Sequence, residues 1–346
     1  MANLNIPRTE FAAALSQVAS EHGIDPSSVL ESIELAIITA YKKDYGDKEG
    51  LEYEVKIDPA SGESQLFAWP EGEKKKKEEI TPAGFGRIAA QQARNIIVQK
   101  IREAEKGALI DEYEKRAGTL VNGMILRFDG DNILVDLGRG EAIMPSPEQN
   151  KKENYRLNMK LNFYIDGIRE TAKGKQIIVS RSSPELVACL FKREVPEVSS
   201  GAVEIREIAR EAGNRTKIAV YSKQSGIDPV GSCVGQKGVR VQAVIEALGG
   251  LEKVDIIQYN EDPEKFILSA LSPAENLEIK INKTARTAVV SAPEKDLSLA
   301  IGKEGQNARL ASKLTGYKID IRPIEETKEK KEIKPKKETE KTEMKV

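Results

Sequence analysis

The chain has 346 residues, with 54 Lys plus Arg against 55 Asp plus Glu and a formal net charge of −1. It is too long for a single core, and too evenly charged for a polycation that coats nucleic acid indiscriminately, so any RNA contact must come from local patches. Two cysteines, Cys189 and Cys233, and one histidine, His22, exclude a zinc cluster built from Cys and His; with no basic-then-apolar leader and no run of 18 apolar residues, a soluble protein of a reducing cytoplasm, with no membrane partner, is expected.

Residues 1–41 read as two helices. Phe11, Leu15, Val18 and Ala19 line the first, which His22-Gly23 ends. Asp25-Pro26 opens the second, striped by Leu30, Ile33, Ile37, Ile38 and Tyr41. Leu51–Ile57 and Gln65–Trp69 predict a strand pair around the turn at 58–62. The run 71–79, EGEKKKKEE, carries lysines that its glutamates nearly cancel, and reads as a solvated loop. From Arg87 to about Arg116, Ile88, Ala89, Ile96, Ile97, Ile101, Ala104 and Ala108 form one long helical stripe. About 30 residues span roughly 45 Å, which suits a spacer; a coiled-coil seam needs a period sustained for more heptads.

From Gly118 to about Arg181 the pattern turns to β. Five strands are expected at Leu120–Arg127, Asn132–Leu137, Glu141–Met144, Lys160–Ile168 and Gln176–Ser180. Five short strands with glycine-rich corners and one longer loop suggest a small OB-type barrel. Such barrels stack bases on exposed aromatics beside basic groups, and the candidates are Arg127, Phe128, Arg139, Phe163 and Tyr164. So few aromatics fit a weak RNA face and a plain spacer barrel equally well. Gly138-Arg139-Gly140 is no dinucleotide loop, because the third glycine is missing and no helix follows. Gly231–Lys237 is one residue short of a Walker loop, and no Ser or Thr follows its lysine. No cofactor is implied. Neither is a catalytic constellation, since no histidine partners a serine or cysteine and no acid pair sits on a glycine-rich scaffold, so an enzyme is not expected.

The last third repeats itself. Pro184–Glu194 reads as a helix, Arg215–Tyr221 as a β-branched strand, and Gly235-Gln236-Lys237-Gly238 as a turn between helices. Val241, Val244, Ile245 and Leu248 stripe the following helix, Gly249-Gly250 ends it, and Val254-Asp255-Ile256 continues as strand. Sixty-seven residues on, Gly302-Lys303-Glu304-Gly305 repeats the turn, Ala308, Ala311 and Leu314 the stripe, Gly316 the stop and Ile319-Asp320-Ile321 the strand. Pro263–Leu271 and Arg286–Val290 supply the upstream helix and strand. A lone GXXG is as often a plain helix turn; a repeated helix, GXXG, helix, glycine and strand is not. The order is that of two tandem type II KH domains, whose GXXG loop clamps about four nucleotides of single-stranded RNA through backbone N–H groups at a helix start. Residues 199–324 hold 18 Lys plus Arg against 16 Asp plus Glu, so the pair is nearly neutral and only its loop faces are basic. Residues 325–346 hold 15 charged residues of 22 and no aromatic, the composition of a disordered tail.

Expected domains are therefore 1–116, a head with its long helix; 117–182, the barrel; 183–260 and 261–324, the KH domains; and 325–346, the charged tail. The class is multidomain α+β. With this order, the stretches 86–105 (GRIAAQQARNIIVQKIREAE), 227–250 (IDPVGSCVGQKGVRVQAVIEALGG) and 300–316 (AIGKEGQNARLASKLTG) resemble the NusA family of bacterial transcription elongation factors. The resemblance covers about 1–324. It implies a monomer whose head docks on RNA polymerase near the RNA exit channel. The barrel and KH pair would hold nascent single-stranded RNA, modulating pausing, intrinsic termination and antitermination alongside other antitermination factors. Carried over by position, the RNA contacts are Gly235, Gln236, Lys237, Gly238, Arg240, Gly302, Lys303, Glu304, Gly305, Asn307 and Arg309, with Arg127, Phe128 and Arg139 on the barrel. Glu304 departs from the pattern by placing an acid in the second loop, and no acidic repeat follows the KH pair, so autoinhibition through one is not expected. A ribosome-associated structural RNA binder with KH and OB modules is the alternative, though such proteins are usually strongly basic. An exoribonuclease of the polynucleotide phosphorylase type needs catalytic domains for which there is no room.

Overall fold

Four helices start the same way. Asp25, Ser183, Asp228 and Asp262 each accept, through the side chain, the amide two residues on, and each precedes a proline at the first helical position. The cap satisfies an orphan N–H, and proline costs nothing where its missing N–H would be orphaned anyway. The computed structural model describes residues 20, 23, 25–58, 63–171 and 174–324. The expected first helix with its Phe11 stripe, His22, most of the turn at 58–62 and the tail 325–346 lie outside the described residues.

The chain divides into two compact units, 1–117 with 168–176, and 118–167 with 177–346. In the first, helix α1 (Pro26–Tyr45) places Val29, Ile33, Ile37 and Tyr41 on one buried face. They pack with Val55 of strand β1 (Leu51–Ile57), Leu66 of β2 (Ser64–Pro70), and Phe85, Ala89 and Ala93 of helix α2 (Phe85–Lys115). β1 and β2 are antiparallel, and β3 (Glu78–Glu79) adds a third strand to β2. The lysine run is more ordered than its composition suggests. Lys77 Nζ lies 4.2 Å from the Phe67 ring centroid and 2.9 Å from Glu54 Oε2, while Lys74 sits over Trp69 at 5.6 Å. Cation–π attraction to a strand face is invisible in a charge count.

The second unit opens with a closed barrel of β4 (Leu120–Asp129), β5 (Asn132–Asp136), β6 (Glu141–Met144), β7 (Lys160–Thr171) and β8 (Gly174–Ser180), ordered β4-β5-β6-β8-β7. Helix α3 (Pro184–Glu194) and the short α4 (Pro196–Ser199) lead to β9 (Glu204–Glu211), β10 (Arg215–Tyr221), α5 (Pro229–Val234), α6 (Val239–Ala247) and β11 (Lys253–Gln258). The order repeats as α7 (Pro263–Ala270), β12 (Glu278–Asn282), β13 (Thr287–Ala292), α8 (Glu294–Ile301), α9 (Gln306–Thr315) and β14 (Lys318–Pro323). In each KH sheet the middle strand is antiparallel to the strand before it and parallel to the last. This is the type II KH order the repeat predicts.

The two copies differ in burial. β13 alternates, with Ala288, Val290 and Ala292 buried, as a strand packed on one face does. In β10 every residue from Thr216 to Val220 is buried. Ile218 and Val220 face a core shared with Leu186, Leu190, Phe191, Cys233 and Val244. Ala219, with Ala209 and Ile257, faces a second core made by Phe266, Ile267 and Leu271 near α7 and Leu310, Ala311 and Leu314 of α9. The second KH domain therefore covers the back of the first one's sheet. Small residues at the contact, Ala209, Ala219 and Ala311, let helix and sheet approach closely. Lys217, fully buried at this seam, donates to Ser272 O at 3.0 Å and lies 3.3 Å from Asp255 Oδ2. Burial pulls its ammonium below the ordinary lysine range, against the pull of Asp255.

The barrel is joined to the first KH domain by a buried charge as well. Arg181 pairs with Glu153 and donates to Asn162 O at 2.7 Å and to Ala247 O at 3.2 Å, so one guanidinium holds the barrel and the end of α6. Gly213, at φ +75° in the β9–β10 turn, lies so close to the barrel loop that an added Cβ would stand 2.8 Å from Lys152 Cβ. Within the KH domain, Glu252 accepts from Arg210 Nε at 2.8 Å and Nη2 at 2.9 Å, from Gly213 N at 2.9 Å, and from Thr216 Oγ1. Burial pushes the Glu252 carboxyl up, but the bonds from Arg210, Thr216 and Gly213 outweigh it and hold the group below 4.5. Glu252→Ala should cost about 3–5 kcal/mol by leaving Arg210 buried and unpaired. A carboxylate with a depressed folded value stabilises above its unfolded value and loses that as pH falls through the folded one. The gap in unfolding free energy between wild type and variant should thus be full above pH 4.5 and narrow below it, as urea titrations across that range would report.

Candidate nucleic-acid interface

The two GXXG loops share one backbone. Gly235 has φ 74° and ψ 173°, Lys237 φ 53° and ψ 23°, and Gly238 φ 79° and ψ 11°. Gly302, Glu304 and Gly305 match them at 76° and 169°, 54° and 27°, and 71° and 15°. The third loop residue is thus left-handed in both, though neither Lys237 nor Glu304 is glycine. One internal bond closes each turn, Gly238 N to Gly235 O and Gly305 N to Gly302 O, both 3.1 Å. Among the described residues the amides of Gln236, Lys237, Lys303 and Glu304 find no acceptor. Two adjacent free N–H groups ahead of a helix suit an anion.

The two glycines of each loop are there for different reasons. A Cβ on Gly235 would stand 2.8 Å from Arg240 Cγ, and one on Gly302 would stand 2.7 Å from Asn307 Cβ and 2.8 Å from its backbone N. A Cβ on Gly305 would meet nothing within 4 Å, and one on Gly238 only Val241 at 3.9 Å. Both glycines supply a positive φ, and the first also makes room for the helix behind the loop.

Arg240 and Asn307 occupy equivalent places, five residues after the first glycine. Arg240 Nη1 donates to Ser232 O at 2.7 Å and to Glu197 Oε2 at 2.9 Å. Asn307 Nδ2 donates to Leu299 O and Ala300 O, both 3.1 Å, and to Leu271 O at 2.9 Å. Ser232 and Leu299 are themselves equivalent, so both side chains tie the loop to the helix before it. Asn307 is 1 % exposed, which removes its side chain from any RNA surface. The expectation that it contacts RNA is corrected: it positions the loop. Arg309 is also engaged, donating to Glu211 Oε1 at 2.5 Å and Oε2 at 3.1 Å and to Glu304 O at 3.2 Å. The bonds from Arg309, and then from Gln306, hold the Glu211 carboxyl below the usual range. Glu197 and Glu211 are the residues that sequence reasoning missed. Their partners lie 43 and 98 positions away, so no local pattern could have marked them.

Beside the first loop a cleft of about 740 Å³ is lined by Glu197, Ile227, Asp228, Gly235, Val239 and Arg240 among others, with Val239 exposed. It is large enough for a base, with apolar and polar walls. On the barrel, Phe128 is 48 % exposed beside the β4–β5 turn, Arg127 lies 3.7 Å from Glu141 in a loose surface pair, and Arg139 is exposed between Gly138 and Gly140. One barrel candidate, Phe163, is corrected. Phe163 is fully buried, so it is no stacking platform, and Tyr164 is half-buried, with one side packed against the core of the first KH domain. Their alternation along β7 turns one ring inward and the other toward the neighbouring domain.

Comparison with known proteins agrees with this geometry. Residues 181–259 match the NusA-like first KH domain, 263–329 the NusA-like second KH domain, and 10–72 with 70–107 the NusA N-terminal domain. The chain is similar to the transcription termination/antitermination protein NusA of Halalkalibacterium halodurans, 40% identical over 346 residues, covering 93% of this chain and 90% of the relative. It is 39% identical to the Bacillus subtilis protein of the same name, over 93% and 92% of the two chains. With that of Thermus thermophilus it shares 37% identity over 91% and 90%.

The glycine geometry makes a direct prediction. Gly305→Ala should cost only the left-handed strain of about 1–2 kcal/mol, whereas Gly302→Ala should cost more, because its φ 76° and ψ 169° lie in a region essentially open to glycine alone and Asn307 must also move. Chemical denaturation of both variants checks the order, and equal losses would overturn it.

Proposed function

Because this chain belongs to the NusA family of transcription termination/antitermination proteins, we propose that it docks on RNA polymerase through residues 1–116 and holds nascent single-stranded RNA on its two KH loops. The barrel 117–182 and the KH domains 183–260 and 261–324 form the RNA-facing part, and the protein works in the cytoplasm by binding, with no catalytic step. The observation that carries this reading is the pair of loops with matched backbones and free amides on two KH domains that share a core. RNA phosphate meets the amides of Gln236 and Lys237 and those of Lys303 and Glu304, with Lys237 and Lys303 adding charge. Arg240 and Asn307 hold these loops in shape, and Phe128, Arg127 and Arg139 offer a weaker stacking surface on the barrel. Holding RNA and polymerase together slows or re-routes the transcript at pauses and terminators.

Replacing Gln236 and Lys237 by aspartates keeps both glycines, and aspartate tolerates the left-handed site. RNA binding should then weaken across sequences without a change in preference, and the log–log salt slope should fall by roughly 0.7 for one lost single-strand phosphate contact. The matching change at Lys303 and Glu304 should cost less, as one acid is already present. Filter binding at several salt concentrations reads both, with circular dichroism as the fold control; unaltered affinity in a folded double-loop variant rules out the loops as the RNA site.

The head is tested in the full chain. Leu35 and Val98 are large apolar side chains exposed on α1 and α2, at 67 % and 40 %. Photo-crosslinkers placed at these positions should label RNA polymerase even after ribonuclease treatment, while one at Arg322, on the last strand of the KH pair, should not. Labelling from Arg322 alone would move polymerase docking off the head.

A further inference from the structure

Glu211 ends β9 of the first KH domain, yet its carboxylate acts on the second. It is 17 % exposed and accepts three hydrogen bonds from α9, two from the Arg309 fork at 2.5 and 3.1 Å and one from Gln306 Nε2 at 2.9 Å. Arg309 remains 48 % exposed and reaches the second GXXG loop through Glu304 O at 3.2 Å. A guanidinium at the edge of that loop is the group best fitted to grip a phosphate, because its fork matches two anionic oxygens at once. Here the fork is already filled by a carboxylate of the same geometry. The loop's own side chains, Lys303 and Glu304, cancel.

We infer that Glu211 is an internal competitor for RNA phosphate: it occupies the Arg309 fork, so the second loop grips RNA through that arginine only when Glu211 is displaced. This rests on the reading that the KH loops hold RNA. Exchanging one anion for another returns the same charge-assisted bonds, so the wild-type arginine adds little to affinity. The first loop, with Lys237 and no acid between its glycines, carries most of the electrostatic grip. The second loop is set by the first domain, through a side chain that no RNA need touch. Glu211 is thus a positioning residue that sets how strongly, and with what salt dependence, the second loop holds a strand.

Glu211→Gln tests this in the full chain, with a single-stranded RNA oligonucleotide as probe. The amide oxygen can still accept from Arg309 Nη2 and Gln306 Nε2, which share Glu211 Oε2, while the amide NH2 faces Arg309 Nε and loosens that side of the fork, so the seam keeps two of its three bonds and the competing charge is gone. Affinity should rise roughly three- to tenfold, since a charged acceptor is about twice as strong as a neutral one. The log–log salt slope should steepen by about 0.7, the value of one further single-strand phosphate. Arg309→Gln should erase the gain in the Glu211→Gln background. Glu211→Asp, which keeps the charge and withdraws it by one methylene, should give a smaller rise in the same direction, and serves if the glutamine variant does not fold. A folded Glu211→Gln protein whose affinity falls, or whose slope is unchanged, overturns the inference and leaves Glu211 as a structural pin. A wild-type chain that binds no RNA overturns both this inference and the reading beneath it, whereas binding that is lost in the first-loop aspartate variant keeps the reading intact.

Discussion

Strand β10 is buried from Thr216 to Val220 on both sides of its sheet, and the rest of the KH pair depends on that. One face meets the helices of its own domain and the other meets α7 and α9 of the next. An isolated type II KH domain has one sheet face covered by its helices. Here the second face is closed by an entire second domain, so the two GXXG loops belong to one packed body. Interiors are close-packed and transmit strain, so neither loop can drift from the other without opening a core.

The charges follow the same logic. Arg181 with Glu153, Arg210 with Glu252, Lys217 with Asp255, Arg240 with Glu197 and Arg309 with Glu211 are each engaged inside the fold. The first three are largely removed from water, where an ion pair adds less net stability than its loss would suggest, and where breaking it is expensive. Such pairs fix how neighbouring parts meet. They also account for much of the near-neutral composition of the KH pair, because each buried or seam arginine or lysine comes with an acid. Most of the arginines are committed to internal carboxylates, and what faces solvent at the loops is backbone N–H with one lysine apiece.

Much of this was legible in the sequence. The repeat of glycines 67 residues apart, the apolar stripes after them, and the β-patterned stretch of 118–181 led to two KH domains and a five-stranded barrel, because periodicity and turn chemistry are local properties. The loops themselves were legible for the same reason, since a left-handed second glycine needs no tertiary partner. The roles of individual polar side chains were not. Arg240, Asn307 and Arg309 carried RNA-contact assignments by position, and the fold turns Asn307 inward, commits Arg240 to Glu197, and gives Arg309 to Glu211. Phe163 counted as an aromatic available for stacking until the barrel buried it, and Tyr164 is half-covered by the first KH domain.

The sequence by itself determined the order of elements, the helix caps at Asp25, Ser183, Asp228 and Asp262, and the two GXXG turns, each of which is decided within a few residues of chain. It also determined that the KH pair is not a polycation. Only the tertiary structure decided which face of β10 the second domain would cover, and which carboxylate each arginine would meet. Those contacts join residues tens of positions apart, and the pairing of a long charged side chain depends on what the packed backbone brings within about 3 Å of it.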